Sequence, residues 1–309
     1  MPRRTTVLLA LALAAIAALS AAAPLEPGRT RVMSFNIRYG TAEDGDDVWE
    51  NRRFLVRLTI RDAAPDLIGL QECLAFQADE LDEAFRDFAL VGVGRDDGEQ
   101  GGEMCAIMYR WSRFELLDQG TFWLSETPEQ PGRKGWDAAC PRIVTWVQLA
   151  DRFCEPDTFV FASTHLDHLG PQARREGARL IRSGLEEIAD GLPILLAGDF
   201  NAGGGPGASE PWDVLAGDGV WRDTWLEAGG EAGPLGDGTF HGFDGVPETG
   251  RIDWIICTGG WEVEAAAIVR TERRGRWPSD HHPVTADFTL GWRPGVDVLD
   301  AVTGATPRY

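Results

Sequence analysis

Ser279-Asp280-His281-His282-Pro283 sets a carboxylate directly beside an imidazole. An acidic metal ligand next to a phosphate-facing histidine is how a metal-dependent phosphoesterase closes its site. Alone the run is more often an N-cap or turn than chemistry, because Ser and Asp favour both. Further signatures lie upstream. Glu72 ends the run Pro65-Asp66-Leu67-Ile68-Gly69-Leu70-Gln71-Glu72. It is either a solvated strand end or an oxygen ligand for Mg²⁺ or Mn²⁺, ions that often take only one or two protein carboxylates. Gly198-Asp199-Phe200-Asn201 is either a turn or a site. In the second reading Asp199 orients and deprotonates a water, and the uncharged Asn201 holds a developing phosphorane oxygen. Ser163-Thr164-His165-Leu166-Asp167-His168 concentrates two of the five histidines. Strand alternation puts His165 and Asp167 on one face and His168 on the other, and His165 is assigned a phosphate-facing role. His168 reads as either a supporting contact or surface. Asp253 stands at the mouth of the strand Ile252 to Ile256. Buried beside His281, it would fix that ring's tautomer and raise its pKa, keeping it cationic against a phosphate. His282, followed by Pro283, is expected to be structural.

Positioning such residues requires rigid elements that end near one another. Short apolar runs rich in β-branched residues predict strands at 31–37, 67–71, 104–109, 142–150, 158–164, 194–197, 252–256 and 284–288. Two helices are predicted: 51–63, with Phe54, Leu55, Leu58 and Ala63 near one face, and 171–190, with Ala173, Leu180, Leu185 and Ile188. The mixture of strand pairs and crossover helices is that of a layered α/β or α+β domain. Four strands run out into polar residues at Asn36, Glu72, His165 and Asp199–Asn201, where rigid strand ends aim side chains into a shared cleft. The glycines from Gly203 to Gly207 read as a flexible loop, since no Lys-Ser follows them.

The 309-residue chain opens with Arg3-Arg4, an apolar run from Val7 to Leu19 and small residues to Ala23. This order predicts a secretory signal peptide over 1–23, too short to span a membrane. The twin arginines leave the folded-export route open beside the general one. A single catalytic domain is expected over 24–290, with a loose tail over 291–309, and no stable membrane insertion once the signal is removed. The formal charge is -20, with Lys134 the single lysine. Such a chain gains little from nonspecific attraction to a polyanion, which disfavours long nucleic acid. The five cysteines form an odd set, and Cys140 and Cys154 flank a predicted strand. That strand would hold them roughly 30 Å apart, so they are poor partners.

Read together, Met33-Ser34-Phe35-Asn36-Ile37-Arg38, Leu70-Gln71-Glu72, Ser163-Thr164-His165, Gly198-Asp199-Phe200-Asn201, Arg251-Ile252-Asp253 and Ser279-Asp280-His281 resemble the endonuclease/exonuclease/phosphatase superfamily, with its deoxyribonuclease I-like fold. The resemblance covers about residues 30 to 290 and keeps the motifs in order. It implies a four-layer sandwich of two packed mixed β-sheets flanked by helices, with a divalent-metal site at one edge. It implies Glu72 as principal metal ligand with Asn36 and Asp280 nearby, Asp199 and Asn201 as the water-orienting and transition-state pair, and His281 with Asp253 as the phosphate-binding dyad. His165 matches the position of a His or Tyr near the scissile phosphate. Trp49-Glu50-Asn51-Arg52-Arg53 resembles the deadenylase and nocturnin branch, whereas the segment 120–137 resembles a group of exported bacterial hydrolases. Arg142, just after that segment, adds a candidate phosphate clamp, bidentate where Lys could not be.

The expected protein is therefore a secreted or periplasmic, monomeric phosphoesterase. Using Mg²⁺ or Mn²⁺, it would hydrolyse a phosphodiester or phosphomonoester by in-line attack of water. Acidity and export favour a small phosphodiester, a sugar phosphate or a lipid headgroup over nucleic acid. A nuclease of the same superfamily is the alternative. A non-catalytic ligand-binding module would be expected to have lost some of these side chains, and a glycosidase leaves His281 and Asn201 without a task. The twelve tryptophans could stack on a substrate ring, though large aromatics chiefly fill cores.

Overall fold

The computed structural model describes residues 28–154, 158–231 and 237–291. The expected signal segment and nearly all of the expected tail lie outside them. Two six-stranded mixed sheets pack face to face between two layers of helices. The first contains β1 (Arg29–Asn36), β2 (Leu67–Gln71), β3 (Phe88–Val91), β4 (Ile107–Arg110), β11 (Trp261–Ile268) and β12 (Val284–Leu290), in the order β11-β12-β1-β2-β4-β3. The second contains β5 (Phe114–Trp123), β6 (Ile143–Asp151), β7 (Thr158–His165), β8 (Ile194–Asp199), β9 (Arg222–Asp223) and β10 (Asp253–Cys257), in the order β5-β6-β7-β8-β10-β9. Helices α1 (Trp49–Ala63) and α2 (Ala75–Ala84) follow strands of the first sheet. Helices α3 (Pro171–Ala189), α4 (Glu210–Ala216) and α5 (Thr224–Glu227) belong to the second half.

The strands read as continuous apolar runs because both of their faces are buried. Along β1, Val32 packs between the sheets, while Met33 and Phe35 pack on the side of α1. In β7, Phe159 and Phe161 face the other sheet and Val160 and Ala162 face α3; Leu195 and Ile194 divide likewise in β8. Period-2 alternation thus feeds three apolar layers at once.

Helix α1 stops where Pro65 forbids another turn, with Ala64 in the left-handed region at φ 48°. Leu55 and Leu58 of the expected face are buried, together with Trp49, Arg52, Val56, Thr59 and Ile60, whereas Phe54 is exposed. The expected set merged two faces because Phe54 adjoins Leu55 in sequence. Helix α3 begins at Pro171, which suits a first helical position, and buries Ala173, Gly177, Ala178, Ile181, Leu185 and Ala189.

The layer between the sheets changes character along the strands. At alternate positions β1 carries Val32, Ser34 and Asn36; β2 carries Leu67, Gly69 and Gln71; β7 carries Phe161, Ser163 and His165; β8 carries Leu195, Ala197 and Asp199. Apolar residues give way first to small and hydroxyl side chains and then to the groups of the cleft. The sheets approach most closely in the middle step, where a Cβ on Gly69 would lie 2.9 Å from the Ala197 Cβ and 3.0 Å from the Ser163 Oγ. Gln71 Nε2 donates to Ser163 Oγ at 3.2 Å and closes the floor.

Candidate active site

Strand register assembles the site in two rows. Asp199 pairs with His165 on one side and with Asp253 on the other, and Asn36 pairs with Gln71 in the facing sheet. The rows meet at Asp199 Oδ2. Asn36 Nδ2 donates to it at 3.0 Å, and His165 Nε2 and His281 Nε2 lie 3.3 and 3.7 Å away. Asn201 N caps the other oxygen at 3.0 Å. Burial, reinforced by the charge of Asp253, pushes the Asp199 carboxyl up to about 7.

His281 Nδ1 lies 2.9 Å from Asp253 Oδ2. Burial alone would lower this imidazole's pKa, but the carboxylates of Asp253 and Asp199 override it and hold the ring well above the usual range. His165 is driven the other way by burial and by the charges of Arg142 and Arg95. Asn201 Nδ2 also donates to Leu166 O at 3.0 Å, which sets the amide nitrogen 2.9 Å from His165 Nε2. His165 therefore accepts at Nε2 and carries its proton on Nδ1, a buried atom with no hydrogen-bond partner.

On the other flank, Glu72 follows β2 directly and adopts φ 57°, while Arg38 and Asn201 sit just past β1 and β8 at 56° and 47°. Left-handed backbone at non-glycine residues costs energy and persists where the surroundings fix it. Here it turns each side chain from its strand into the cleft. Glu72 accepts from Asn36 Nδ2 and from Tyr39 N, each at 3.1 Å, and Asp280 accepts from Ser279 Oγ at 3.1 Å. Arg38 stands 4.0 Å from Glu72 and 3.7 Å from Asp280, and it pairs at 2.8 Å with Asp44. Burial and the like charge of Glu72 raise the Asp280 carboxyl, although His281 opposes them. This oxygen-only pair fits a hard divalent cation. Asn36 presents its nitrogen to Glu72 and Asp199, because its Oδ1 accepts from Arg38 N at 3.0 Å. Asp199, Asp253 and His281 are also close enough to hold an ion. That group fits a metal poorly, since the His281 ring is cationic and already bonded to Asp253.

Arg142 is buried, 3.4 Å from Asp167 Oδ2 through Nε and 3.0 Å from His168 Nδ1 through Nη2. Asp167 does not share the His165 face as expected. Strand β7 ends at His165, and Asp167 turns to accept from Ala139 N, Leu169 N and Gly170 N at the approach to α3. His168, exposed, supports Arg142. His282 is buried and stacks on His241 with ring centres 4.1 Å apart, a structural place as anticipated.

All the expected site residues except Asn36 and Asp253 line one cleft of about 590 Å³, and those two stand directly behind it. Arg38, Tyr39, Arg95, Glu103 and Phe240 line it as well and had drawn no assignment. Arg38 had a signal two positions after Asn36, whereas Arg95 and Glu103 lie in a glycine-rich loop with no strand periodicity. No tryptophan lines the cleft among the described residues. Behind it, Arg52 donates to the carbonyls of Ile37 and Arg38 and, at 3.1 Å, to Pro278 O, tying the turn after β1 to the approach to Ser279.

The profile of the Endonuclease/Exonuclease/phosphatase family matches residues 33–281. A solved family protein from Bacteroides thetaiotaomicron superposes with a TM-score of 0.78 at 33% identity, covering 86% of this chain and 99% of that one. The mannosyl-6-phosphatase of Bacteroides thetaiotaomicron VPI-5482 superposes at 0.76 with 33% identity over 84% and 99% of the two chains. Nocturnin of Drosophila melanogaster is 26% identical over 202 residues, which are 58% of this chain and only 30% of that relative's length.

Proposed function

The chain belongs to the endonuclease/exonuclease/phosphatase family of metal-dependent phosphoester hydrolases, and we propose that it is an exported enzyme using Mg²⁺ or Mn²⁺ to hydrolyse a small phosphoester by in-line attack of water. The observation that carries this reading is the arrangement around Asp199: a carboxyl poised at about 7, next to a histidine that its own aspartate keeps cationic. A divalent ion held by Glu72 and Asp280 would supply charge neutralisation for the phosphoryl group.

The protein's own groups do the rest. Asp199, ionised above about pH 7, accepts the proton of the attacking water. Cationic His281 holds a non-bridging phosphoryl oxygen, and Asp253 keeps the proton on the ring. Asn201 holds neutral His165 beside Asp199 through its amide nitrogen, while Asn36 restrains both Asp199 and Glu72. Arg142 offers the substrate a further cation.

A sugar phosphate is favoured within the small phosphoesters. The supports are the net charge of -20, which disfavours a long polyanion, and the 33% identity to a mannosyl-6-phosphatase. The test is a panel of DNA, RNA, sphingomyelin, inositol phosphates and sugar phosphates, each assayed with Mg²⁺ and with Mn²⁺. Sugar phosphates should turn over best, and both chelator and Glu72→Gln should abolish turnover. Chelator-resistant hydrolysis overturns the metal-dependent reading, and preferred cleavage of DNA or RNA replaces the sugar phosphatase with a nuclease.

A further inference from the structure

Two guanidinium groups stand on one wall of the cleft, close enough to His165 to depress its pKa. Arg95 stands on the loop between β3 and β4, locked to Glu103 by two bonds of 2.7 Å. The loop is built rather than loose. Trp123 Nε1 donates to Arg95 O at 2.7 Å, Arg95 N donates to Glu103 O at 3.1 Å, and Asp96 N donates to Gly101 O at 2.9 Å. Gly132 passes so close that a Cβ there would lie 2.5 Å from Asp96 O. Arg142 reaches the same wall from the start of β6. Its one carboxylate neighbour, Asp167, already accepts from three backbone N–H groups.

Each guanidinium keeps one buried nitrogen without a hydrogen-bond partner: Nη1 of Arg142, and Nε of Arg95, which lies 4.0 Å from Asp96 Oδ1. Burying such a donor unpaired is costly, and an oxyanion is the acceptor that best answers a guanidinium. Both residues line the cleft itself, beside Glu72, His165 and Glu103. Neither makes a hydrogen bond to Asn36, Asp199, Asn201 or His281, the groups gathered where the reacting phosphoryl belongs.

We infer that Arg95 and Arg142 form a second anion subsite, which selects substrates carrying a phosphate or carboxylate besides the scissile phosphoryl group. Arg95 is then a specificity-determining residue held in place by Glu103 and Trp123. The inference rests on the phosphoester reading above and narrows its substrate class to doubly anionic esters.

Glucose 6-phosphate, glucose 1,6-bisphosphate and 6-phosphogluconate differ in whether a second anion is present and whether it is phosphate or carboxylate. The wild-type enzyme should show a KM about tenfold lower for at least one of the two double anions than for glucose 6-phosphate, and the better one identifies the second group. Arg95→Gln and Arg142→Gln should each collapse that KM ratio to within about twofold, with Arg95→Lys intermediate because it keeps the charge and loses the fork. A wild-type enzyme without preference overturns the subsite, and so does a ratio that survives both Gln substitutions. Calorimetric titration of the same three ligands into chelator-treated protein separates the two levels. Selective, arginine-dependent binding without turnover would leave the subsite standing and refute the hydrolase reading, whereas turnover without selectivity would do the reverse.

Discussion

His165 and His281 are buried to the same 5% exposure, and both face the cleft within 4 Å of the same oxygen of Asp199. Their protonation states are nevertheless opposite. Burial depresses both rings, so the difference comes from what stands behind each one. His281 is backed by Asp253, and His165 by Arg142 and Arg95. In the proposed mechanism the two imidazoles would divide the work, one as a cation for phosphoryl oxygens and the other as a neutral ring held by Asn201. Depth depresses both rings, and neighbouring charge decides whether that depression stands.

The most severe way to break this division is to remove the oxygen that both rings share. Asp199→Asn keeps the size of the side chain but not its basicity, and kcat on the preferred phosphoester should fall by about 10³-fold, with KM little altered. Next is the support behind one ring only. Asp253→Asn should let the His281 pKa fall toward its ordinary range and lower kcat by about 100-fold, the scale for loss of an orienting carboxylate. Imidazole NMR titration reads the shift directly, and a ring that stays cationic in this variant would show that Asp253 is not its source. Stability follows with a definite sign. Because the folded pKa of His281 is raised, its stabilisation is complete below about pH 6.5 and is lost as pH climbs through the folded value. Denaturant midpoints against pH should show that loss in the wild type and less of it in Asp253→Asn.

The pH–rate profile sharpens the contrast without any substitution. Activity should rise as Asp199 ionises through about 7 and fall again only when His281 gives up its proton at higher pH. His165, already neutral, should add no limb. The smallest effect comes from relieving the charge behind His165. Arg142→Gln should move that ring's pKa back up toward the usual histidine range while kcat on a singly charged ester falls only severalfold. NMR titration of His165 checks it, and an unmoved pKa would assign the neutral ring to burial alone.

Much of this site was legible because it is written in period 2. Each central strand spends its apolar residues first and ends on one polar side chain facing the partner sheet, so Asn36, His165 and Asp199 announce themselves by position. The edges were not legible. Strand β5 is mostly solvent-facing and carries Glu115, Asp118 and Gln119, and β11 likewise exposes much of its length, so neither forms an apolar run. Helix α2, Ala75–Ala84, is rich in acidic residues and buries only Gln77, Ala78 and Leu81. Arg95 could not be placed because a glycine-rich loop has no periodicity to say where its side chains point. Nor could the orientation of Asn36 be read, since a backbone N–H two residues along decides which end of the amide meets the carboxylates.

The first sheet joins β1 directly to β12, residues 29–34 paired with residues 284–289. During synthesis, therefore, Asn36 and Glu72 leave the ribosome some two hundred residues ahead of Asp280 and His281. The cleft is complete only when β12 is seated beside β1, which brings Asp280 and His281 up to Asn36 and Glu72 from more than two hundred residues along the chain.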